Sequence, residues 1–199
     1  MRSGQAVYHP TLWRTCRALM NERRLACLSV VLANPGLSVG EIARMAEIPE
    51  NQASINLRAL QARGLLAARR DGRWIRYDAE ADPLVEHAAA VLQALRLEWR
   101  RCGDTGQVME TLRAFTHSRR LTLLGFLVRK GGATHEEIAA GTRISRQAVG
   151  RHLETLRRTG LVVPTKGGVW KVMARRRLSG LKRDLLDVVE NRCPHAHCS

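Results

Sequence analysis

Residues 145–161, SRQAVGRHLETLRRTGL, have the pattern of an amphipathic helix that stops at a glycine. Val149, Leu153 and Leu156 recur at helical spacing and predict one apolar stripe, with the arginines on the opposite side. Residues 49–65, PENQASINLRALQARGL, repeat the pattern 96 positions earlier, with fewer arginines and no histidine. The sequence therefore contains one helical segment twice, in a basic and a less basic version.

The similarity at this offset extends well beyond the two helices. Identical pairs include Leu25/Leu121, Gly36/Gly132, Glu41/Glu137, Ile42/Ile138, Gly64/Gly160, Gly72/Gly168 and Trp74/Trp170. Solenoid repeats have periods of roughly 20 to 50 residues, so a longer period predicts complete domains. We expect one domain over residues 1–104 and a second over residues 105–199.

Each copy contains the signals of a helix-turn-helix. Residues 23–33 and 119–129 are apolar at helical spacing, and Gly36 and Gly132 are candidate left-handed caps after them. A capping-box pattern, serine or threonine followed three residues later by glutamate, opens the next helix at residues 38–41 and 134–137. The third helix begins at residue 49 or 145, and two helices joined by a tight turn form the motif.

The residues after the third helix change to an extended period. Residues 65–77 and 161–173 each carry a turn, Asp71-Gly72 and Gly167-Gly168, and predict a two-stranded hairpin or wing. A last helix is expected from about Asp82, and another over residues 178–191. The stripe expected on the first of these consists of Leu84, Ala88, Val91, Leu92 and Leu95. The predicted fold is mainly α with small β-hairpins, as two tandem winged helix-turn-helix domains.

Net charge points to a polyanionic partner. The chain carries 33 Lys and Arg against 18 Asp and Glu, a formal charge of +15. Residues 1–100 hold 14 basic and 10 acidic residues, and residues 101–199 hold 19 and 8. Such a surface attracts nucleic acid, mostly to the second copy, although a basic surface without a nucleic-acid role is the alternative. With no long apolar run and no apolar signal segment, we expect a cytoplasmic protein with reduced cysteines and no membrane partner.

These motifs resemble the winged helix-turn-helix of the ArsR-like (arsenical-repressor-like) transcriptional regulators, over nearly the whole chain and twice. Residues 145–162 carry the resemblance at the recognition helix, and residues 50–77 carry it at the wing. The resemblance implies a DNA-binding regulator of transcription whose first and last helices dimerise. Family members usually have one such domain per chain, and the tandem is a departure.

Residues on the outward side of a recognition helix face base edges in the major groove. In the second copy these are Arg146, Gln147, Gly150, Arg151 and, depending on helix rotation, His152. Arginine pairs with guanine and glutamine with adenine, so this set can read sequence. Arg146 and Arg151 contacting phosphates only is the alternative, and His152 is better explained by helix packing or a phosphate contact.

The first copy has a weaker reading helix and a more basic wing. Its outward positions are Glu50, Asn51, Ser54, Ile55 and Asn56. Its wing carries Arg69, Arg70, Arg73 and Arg76, whereas the second wing carries only Lys166 and Lys171. Basic wings suit the minor groove or the backbone, and a solvated hairpin is the alternative. We therefore expect the second copy to read bases and the first mainly to support it.

The four tryptophans are interpreted as packing residues. Trp74 and Trp170 occupy matching wing positions and are expected to pin each wing onto its helices, with base stacking as the alternative. Trp13 and Trp99 are assigned to a helix-helix interface of the first copy.

The sequence indicates neither a cofactor nor an enzyme. Thiol pairs and the last-helix ligands typical of ArsR-like metal sensors are missing, and no catalytic motif is recognisable. The tail residues Cys193, His195, His197 and Cys198 are weak metal candidates, because their spacing strains a single tetrahedral site.

Two functional hypotheses and two assemblies remain open. The first function is a sequence-specific regulator that binds double-stranded DNA. The second is a tandem winged-helix interaction or chromosome-organising factor that binds DNA non-specifically or binds a protein. For assembly, an internal pseudo-dimer of the two copies is favoured over a homodimer of two chains.

Overall fold

The computed structural model describes residues 11–191, which form ten α-helices and two small antiparallel sheets. The first half of this region contains five helices and three strands. These are α1 (Leu12–Leu19), α2 (Glu22–Ala33), β1 (Leu37–Ser38), α3 (Val39–Met45), α4 (Glu50–Gln61), β2 (Ala67–Asp71), β3 (Trp74–Asp78) and α5 (Ala88–Cys102).

The second half follows nearly the same order. Its elements are α6 (Thr105–Arg113), α7 (Ser118–Lys130), α8 (His135–Thr142), α9 (Arg146–Arg158), β4 (Val162–Pro164), β5 (Trp170–Val172) and α10 (Gly180–Asn191). Short 3₁₀ turns cover Lys166–Gly168 and Arg175–Arg177. In each half, two short helices precede an antiparallel hairpin and a final helix.

The capping boxes form as the sequence predicts. The hydroxyl of Ser38 accepts from the Glu41 backbone N–H at the start of α3, and the Glu41 carboxylate accepts from the Ser38 N–H. Thr134 and Glu137 make the same exchange at the start of α8. These exchanges satisfy backbone donors that a helix start leaves free, and they fix where the helix-turn-helix begins.

The ends of the preceding helices differ from the prediction. Asn34, in an extended conformation, ends α2, and Gly36 adopts a left-handed conformation two residues later. Gly131, not Gly132, is the left-handed cap of α7. Consecutive glycines give a helix two possible stopping points, and the sequence does not distinguish between them.

The two hairpins differ in size. In the first wing, residues 67–78, β2 and β3 pair over five residues, and β1 extends the sheet to the order β1-β3-β2. In the second wing, residues 162–172, β4 and β5 pair over three residues. A single bridge between Ala133 and Trp170 stands where the first half has β1. The first wing is therefore the longer and better supported hairpin.

The last helix of the first half begins later than predicted. Helix α5 starts at Ala88, because residues 82–87 form turns in which the Asp82 carboxylate accepts from the Leu84 backbone N–H. Leu84 is 72% exposed and does not belong to the apolar stripe. Ala88, Val91, Leu92 and Leu95 are buried as expected. Similarly, α10 begins at Gly180 and not at residue 178.

The final helices of the two halves pack against each other. Helix α5 lies along α10, and α1 lies against α6, so the buried residues of both halves form one cluster. The Glu98 side chain of α5 is buried and accepts from the Leu181 backbone N–H at the start of α10, 3.2 Å away. Arg101 donates to the same carboxylate at 2.6 Å. A carboxylate at a helix N-terminus complements the helix dipole, which stabilises the contact between the halves.

Candidate nucleic-acid interface

Helix α9 presents three of the predicted reading residues to solvent. Ser145 caps its start by accepting from the Ala148 backbone N–H, so the first turn is fixed. Ala148, Val149, Leu153 and Leu156 are buried, and they hold the opposite face on the core. Arg146, Gln147 and Arg151 are exposed. A helix with an apolar inner face and long polar donors outside has the form that enters a major groove.

Arg146 and Arg151 differ in their surroundings. Arg146 forms an exposed ion pair with Glu136 of α8. Within the described part of the chain, the Arg151 side chain has no hydrogen-bond or ion-pair partner. An added Cβ at Gly150 meets no atom within 4 Å, so the surface beside Arg151 is open. Arg151 can therefore reach a ligand without first breaking an internal contact, whereas Arg146 must leave Glu136.

His152 lies on the side of α9 that faces α7. Its ring stacks at a tilt on His117, with 4.8 Å between the ring centroids. Partial burial and the neighbouring positive charges lower the pKa of His152 to about 4, which leaves the ring neutral at physiological pH. The packing alternative considered from sequence describes this position better than base reading does.

The equivalent helix of the first half, α4, has few donors for DNA. Glu50 and Asn51 are exposed at its start, and Ile55 is 55% exposed at the position equivalent to Arg151. Ser54 is half-buried and accepts from Arg58. Asn56, predicted to face outward, is buried and donates to the Gln52 carbonyl. This prediction was wrong because Asn56 lies next to Leu57 on the buried side, where its amide finds a backbone partner.

The four arginines of the first wing divide into two kinds. Arg69 pairs with Glu80 at 2.5 Å and lies 3.7 Å from Asp78. Arg76 is half-buried between Glu41, at 3.1 Å, and Asp71, at 3.2 Å. It also donates to the Gly36 carbonyl and so ties the wing to the start of α3. The expectation that Arg76 flanks the turn as a free donor is therefore corrected to a structural role.

Arg70 and Arg73 remain available near the turn of the first wing. Both are exposed, and neither is paired with a carboxylate in the described residues. Arg70 donates to the Gly72 carbonyl at 3.2 Å, and Arg73 lies over the Trp74 ring with 5.1 Å from Cζ to the centroid. These two side chains form the basic tip of the wing.

The two wing tryptophans have different environments. Trp170 is half-buried, and its Nε1–H donates to His135 of α8 at 3.3 Å, so it pins the second wing onto the helices as predicted. Trp74 is 50% exposed and contacts Arg73, so the anchor prediction is wrong there. Tyr77, 4% exposed, is the aromatic residue that β3 turns toward the core. Alternation along the strand explains this, since Trp74 and Tyr77 point to opposite faces.

The second wing offers two lysines and little else. Lys166 and Lys171 are exposed, at the tip and on β5. On the short strand β4, Val163 pairs with Lys171 and Pro164 pairs with Trp170. Trp13 and Trp99 are both half-buried on α1 and α5, consistent with packing positions.

Sequence patterns did not single out Arg17 of α1 and Arg119 of α7. Both side chains are exposed and lie near enough to His117 for their charges to lower its pKa, after the effects of burial and of Arg120. Arg17 and Arg119 belong to different halves. Their proximity depends on the packing of α1 against the second half, which no local pattern encodes.

The tail candidates for metal binding, Cys193, His195, His197 and Cys198, lie outside the described residues. Between residues 11 and 191, no group of three or more histidine, cysteine, aspartate or glutamate side chains is placed to hold a metal ion. Cys16 and Cys27 are free and buried, and burial raises the pKa of their thiols to about 12 and about 11. These two thiols are protonated and poorly reactive.

Comparison with known families identifies part of this interface. Residues 115–165, which include α7, α8 and α9, match the family described as helix-turn-helix domain. No curated protein and no solved structure matches the chain. The second half therefore carries a helix-turn-helix domain, which is the motif of DNA-binding regulators. None of the helices within residues 11–191 is long and apolar enough to span a membrane.

Proposed function

We propose that this protein is a sequence-specific regulator of transcription of the ArsR-like type that binds double-stranded DNA. It consists of two winged helix-turn-helix domains, residues 1–104 and 105–199, and has no enzymatic activity and no cofactor. The observation that carries the proposal is the arginine-bearing, solvent-facing side of α9 within the matched helix-turn-helix domain. The excess positive charge of the chain supports the same partner.

The second domain is the main reader of bases. Arg146, Gln147 and Arg151 project from α9 into the major groove, where arginine pairs with guanine and glutamine with adenine. Lys166 and Lys171 contact the backbone beside the groove. Arg151 contributes most of the discrimination, because no internal partner competes for its guanidinium.

The first domain supports binding through its wing. Arg70 and Arg73 contact the phosphates or the minor groove, and Arg69 joins them when it leaves Glu80. Asn51 and Ser54 add weak polar contacts from α4. Glu50 and Ile55 occupy the positions of α4 that match Arg146 and Arg151 of α9. Phosphates repel the Glu50 carboxylate and Ile55 is apolar, so this domain contributes affinity without much base preference.

The tandem acts as an internal pseudo-dimer. Packing of α5 against α10 buries Ala88, Val91, Leu92 and Leu95 within one chain. Because this apolar stripe is buried within one chain, it does not need a second chain for its burial. A covalent link makes the pairing intramolecular, with an effective concentration around millimolar. We expect a mass near 22.3 kDa in light scattering at micromolar concentration, and a stable particle of twice that mass would contradict the pseudo-dimer.

A second candidate function is supported by exposed apolar residues on the first half. Ile55 is 55% exposed on α4 and Met45 is 50% exposed at the end of α3. Such residues on a helix-turn-helix suit a protein partner better than phosphates. In this alternative the chain is an interaction or chromosome-organising factor, and its DNA binding is non-specific.

Selection of bound duplexes from a random DNA pool distinguishes these functions. The full chain should enrich one motif, and binding of that motif should weaken steeply as salt rises. A variant carrying Arg146→Ala and Arg151→Ala should lose the enriched motif while keeping residual binding at low salt. A well-folded protein that enriches no motif would overturn the proposal of a specific regulator and favour the alternative.

A further inference from the structure

A histidine pair joins the recognition helix to the start of α7. His117 caps α7 by accepting from the Arg119 backbone N–H through Nδ1, at 3.1 Å. A neutral imidazole that accepts through one nitrogen carries its proton on the other, so Nε2 of His117 is a donor. The ring of His152 lies against it, 4.8 Å between centroids. Neither ring is needed for base reading in the function proposed above.

The charges around this pair are positive. Arg119 and Arg120 of α7, Arg151 of α9 and Arg17 of α1 all act on one or both rings, and no carboxylate acts on either. Arg120 is held inside the protein by the carbonyls of residues 113 and 114 and by the Thr116 hydroxyl. In the described region, the side chains of Arg17, Arg119 and Arg151 have no hydrogen-bond or ion-pair partner.

Several other arginines of the molecule are compensated by a carboxylate. Arg146, Arg157 and Arg175 are each paired with a carboxylate, which neutralises them. Around the histidines the positive charge is uncompensated, and burial together with these charges lowers the pKa of both rings. Both effects favour the neutral form of the rings in the free protein. An anion placed among the arginines would reverse the electrostatic effect and favour protonated rings.

We propose that Arg17, His117, Arg119, Arg151 and His152 form a phosphate-binding site that takes up a proton when it is occupied. The phosphate is that of the DNA backbone beside the groove read by α9, so the inference rests on the proposed function. Arg151 and His152 are consecutive on α9, which places the site at the edge of the reading face. Arg17 comes from the first half, so the proposed site includes residues of both halves.

The first experiment measures DNA affinity against pH. If phosphate restores the pKa of one ring from about 4 to its ordinary value of about 6.5, affinity should rise about tenfold between about pH 7.5 and about pH 5.5. The direction follows because the bound state has the higher pKa and takes up the proton. The measurement is fluorescence anisotropy with a duplex at constant ionic strength.

Variants of the pair test the origin of this pH dependence. His152→Gln and His117→Asn remove the titrating rings, and asparagine can still cap α7 through its side-chain oxygen. Both should flatten the affinity profile. A tenfold rise that survives in the double variant would overturn the proposal, and so would a flat profile in the unaltered chain.

NMR titration of the histidine resonances measures the pKa of each ring in the unaltered chain, so this test does not depend on whether a variant folds. The pKa of one ring of the pair should rise when the duplex is added, and the comparison arm uses inorganic phosphate alone. A rise with the duplex only assigns the site to the DNA backbone, and a rise with both adds free phosphate as a ligand. A pKa rise with inorganic phosphate but not with the duplex would support an anion site and would overturn its assignment to the DNA backbone. No rise with either would overturn the site, whereas loss of DNA binding at every pH would instead overturn the proposed function.

Arg17 tests the contribution of the first half. Arg17→Gln should weaken duplex binding by a similar factor for all sequences and lower the slope of log affinity against log salt by about one. Arg23→Gln, another exposed arginine of the first half, is the matched control and should change the slope less. Equal effects of the two variants would show that Arg17 acts only through net charge and would exclude it from the site.

Discussion

The two halves of the molecule have opposite strengths on the surface proposed to face DNA. In the second half, α9 presents Arg146, Gln147 and Arg151, but the wing of this half is short and its only basic residues are lysines. In the first half, α4 presents Glu50 and Ile55, but the wing is longer. In the proposed function, groove reading and backbone contact, which one domain usually combines, are therefore concentrated in different halves.

This difference has a structural basis in the supports of each wing. In the first half, β1 pairs with β3, and Arg76 ties that strand to Glu41 at the start of α3. In the second half, one bridge at Ala133 and the contact of Trp170 with His135 replace these supports. A longer hairpin with a free basic tip suits phosphate contacts, and a short one leaves α9 as the main contact.

The largest effect is expected where the halves meet. Leu95 of α5 is fully buried, and Leu95→Ala should lower the free energy of unfolding by about 2 to 5 kcal/mol, the range for large-to-small changes in cores. Because the buried residues of the two halves form one cluster, we expect one cooperative transition for the whole chain in urea. The two halves would then differ in their surfaces although they fold as one cooperative unit.

Leu97→Ala is the matched control on the same helix. Leu97 is 46% exposed, and its truncation should change stability by no more than about 0.5 kcal/mol. Two separate transitions in the Leu95 variant, with only the first half destabilised, would show that the halves fold independently. Equal losses in the two variants would contradict the burial of Leu95 as the cause.

The second prediction addresses the reading helix. Arg151→Ala should cost about 1 to 3 kcal/mol on the best DNA site and relax the preference at one base pair. Ile55→Ala, at the equivalent position of α4, should leave both the affinity and the preference almost unchanged. The measurement is competition binding against duplexes substituted at each position. A larger loss for the Ile55 variant would reverse the assignment of the two halves.

Local patterns in the sequence predict much of this fold. The capping boxes at Ser38 and Thr134 form, and the helical spacing in α4 and α9 gives the correct buried stripes. These features depend on residues a few positions apart, whose geometry a helix fixes. The helix-turn-helix of the second half, supported by the family match, depends on the same local spacing.

The errors occur where a distant partner decides the outcome. Arg76 is paired with Glu41, 35 residues away in the sequence, and is therefore half-buried instead of free at the surface. Trp74 is exposed, whereas Trp170 at the matching position is half-buried and donates to His135 of α8. Leu84 fits the helical period but precedes the helix. A helical period predicts which side of a helix a residue faces only if the residue lies within that helix.

The third prediction concerns the first wing. Arg70→Ala should weaken binding to all sequences by a similar factor and lower the salt slope by about one, because one phosphate contact is lost. Arg69→Ala should have a smaller effect, since Arg69 is paired with Glu80 in the free protein. Anisotropy titrations over a range of salt concentrations measure both slopes. A change in base preference for the Arg70 variant would indicate that the wing reads sequence, and the division between the halves would no longer hold.

The smallest effect is expected at the ion pair that restrains Arg146. Both partners are exposed, and surface pairs of this kind contribute little because solvent screens them. To contact DNA, Arg146 must leave Glu136, whose carboxylate also repels phosphates. Glu136→Gln should therefore tighten binding slightly, with the gain decreasing as salt rises. Glu154→Gln removes the same charge but frees Arg157 and Arg158 near the other end of α9, and it serves as the control. A greater gain for Glu136→Gln on the enriched motif than on random duplex would show that Arg146 reads a base. Equal gains from the two variants on both duplexes would mean that only net charge has changed, and Arg151 would then be left as the sole arginine of α9 assigned to base reading.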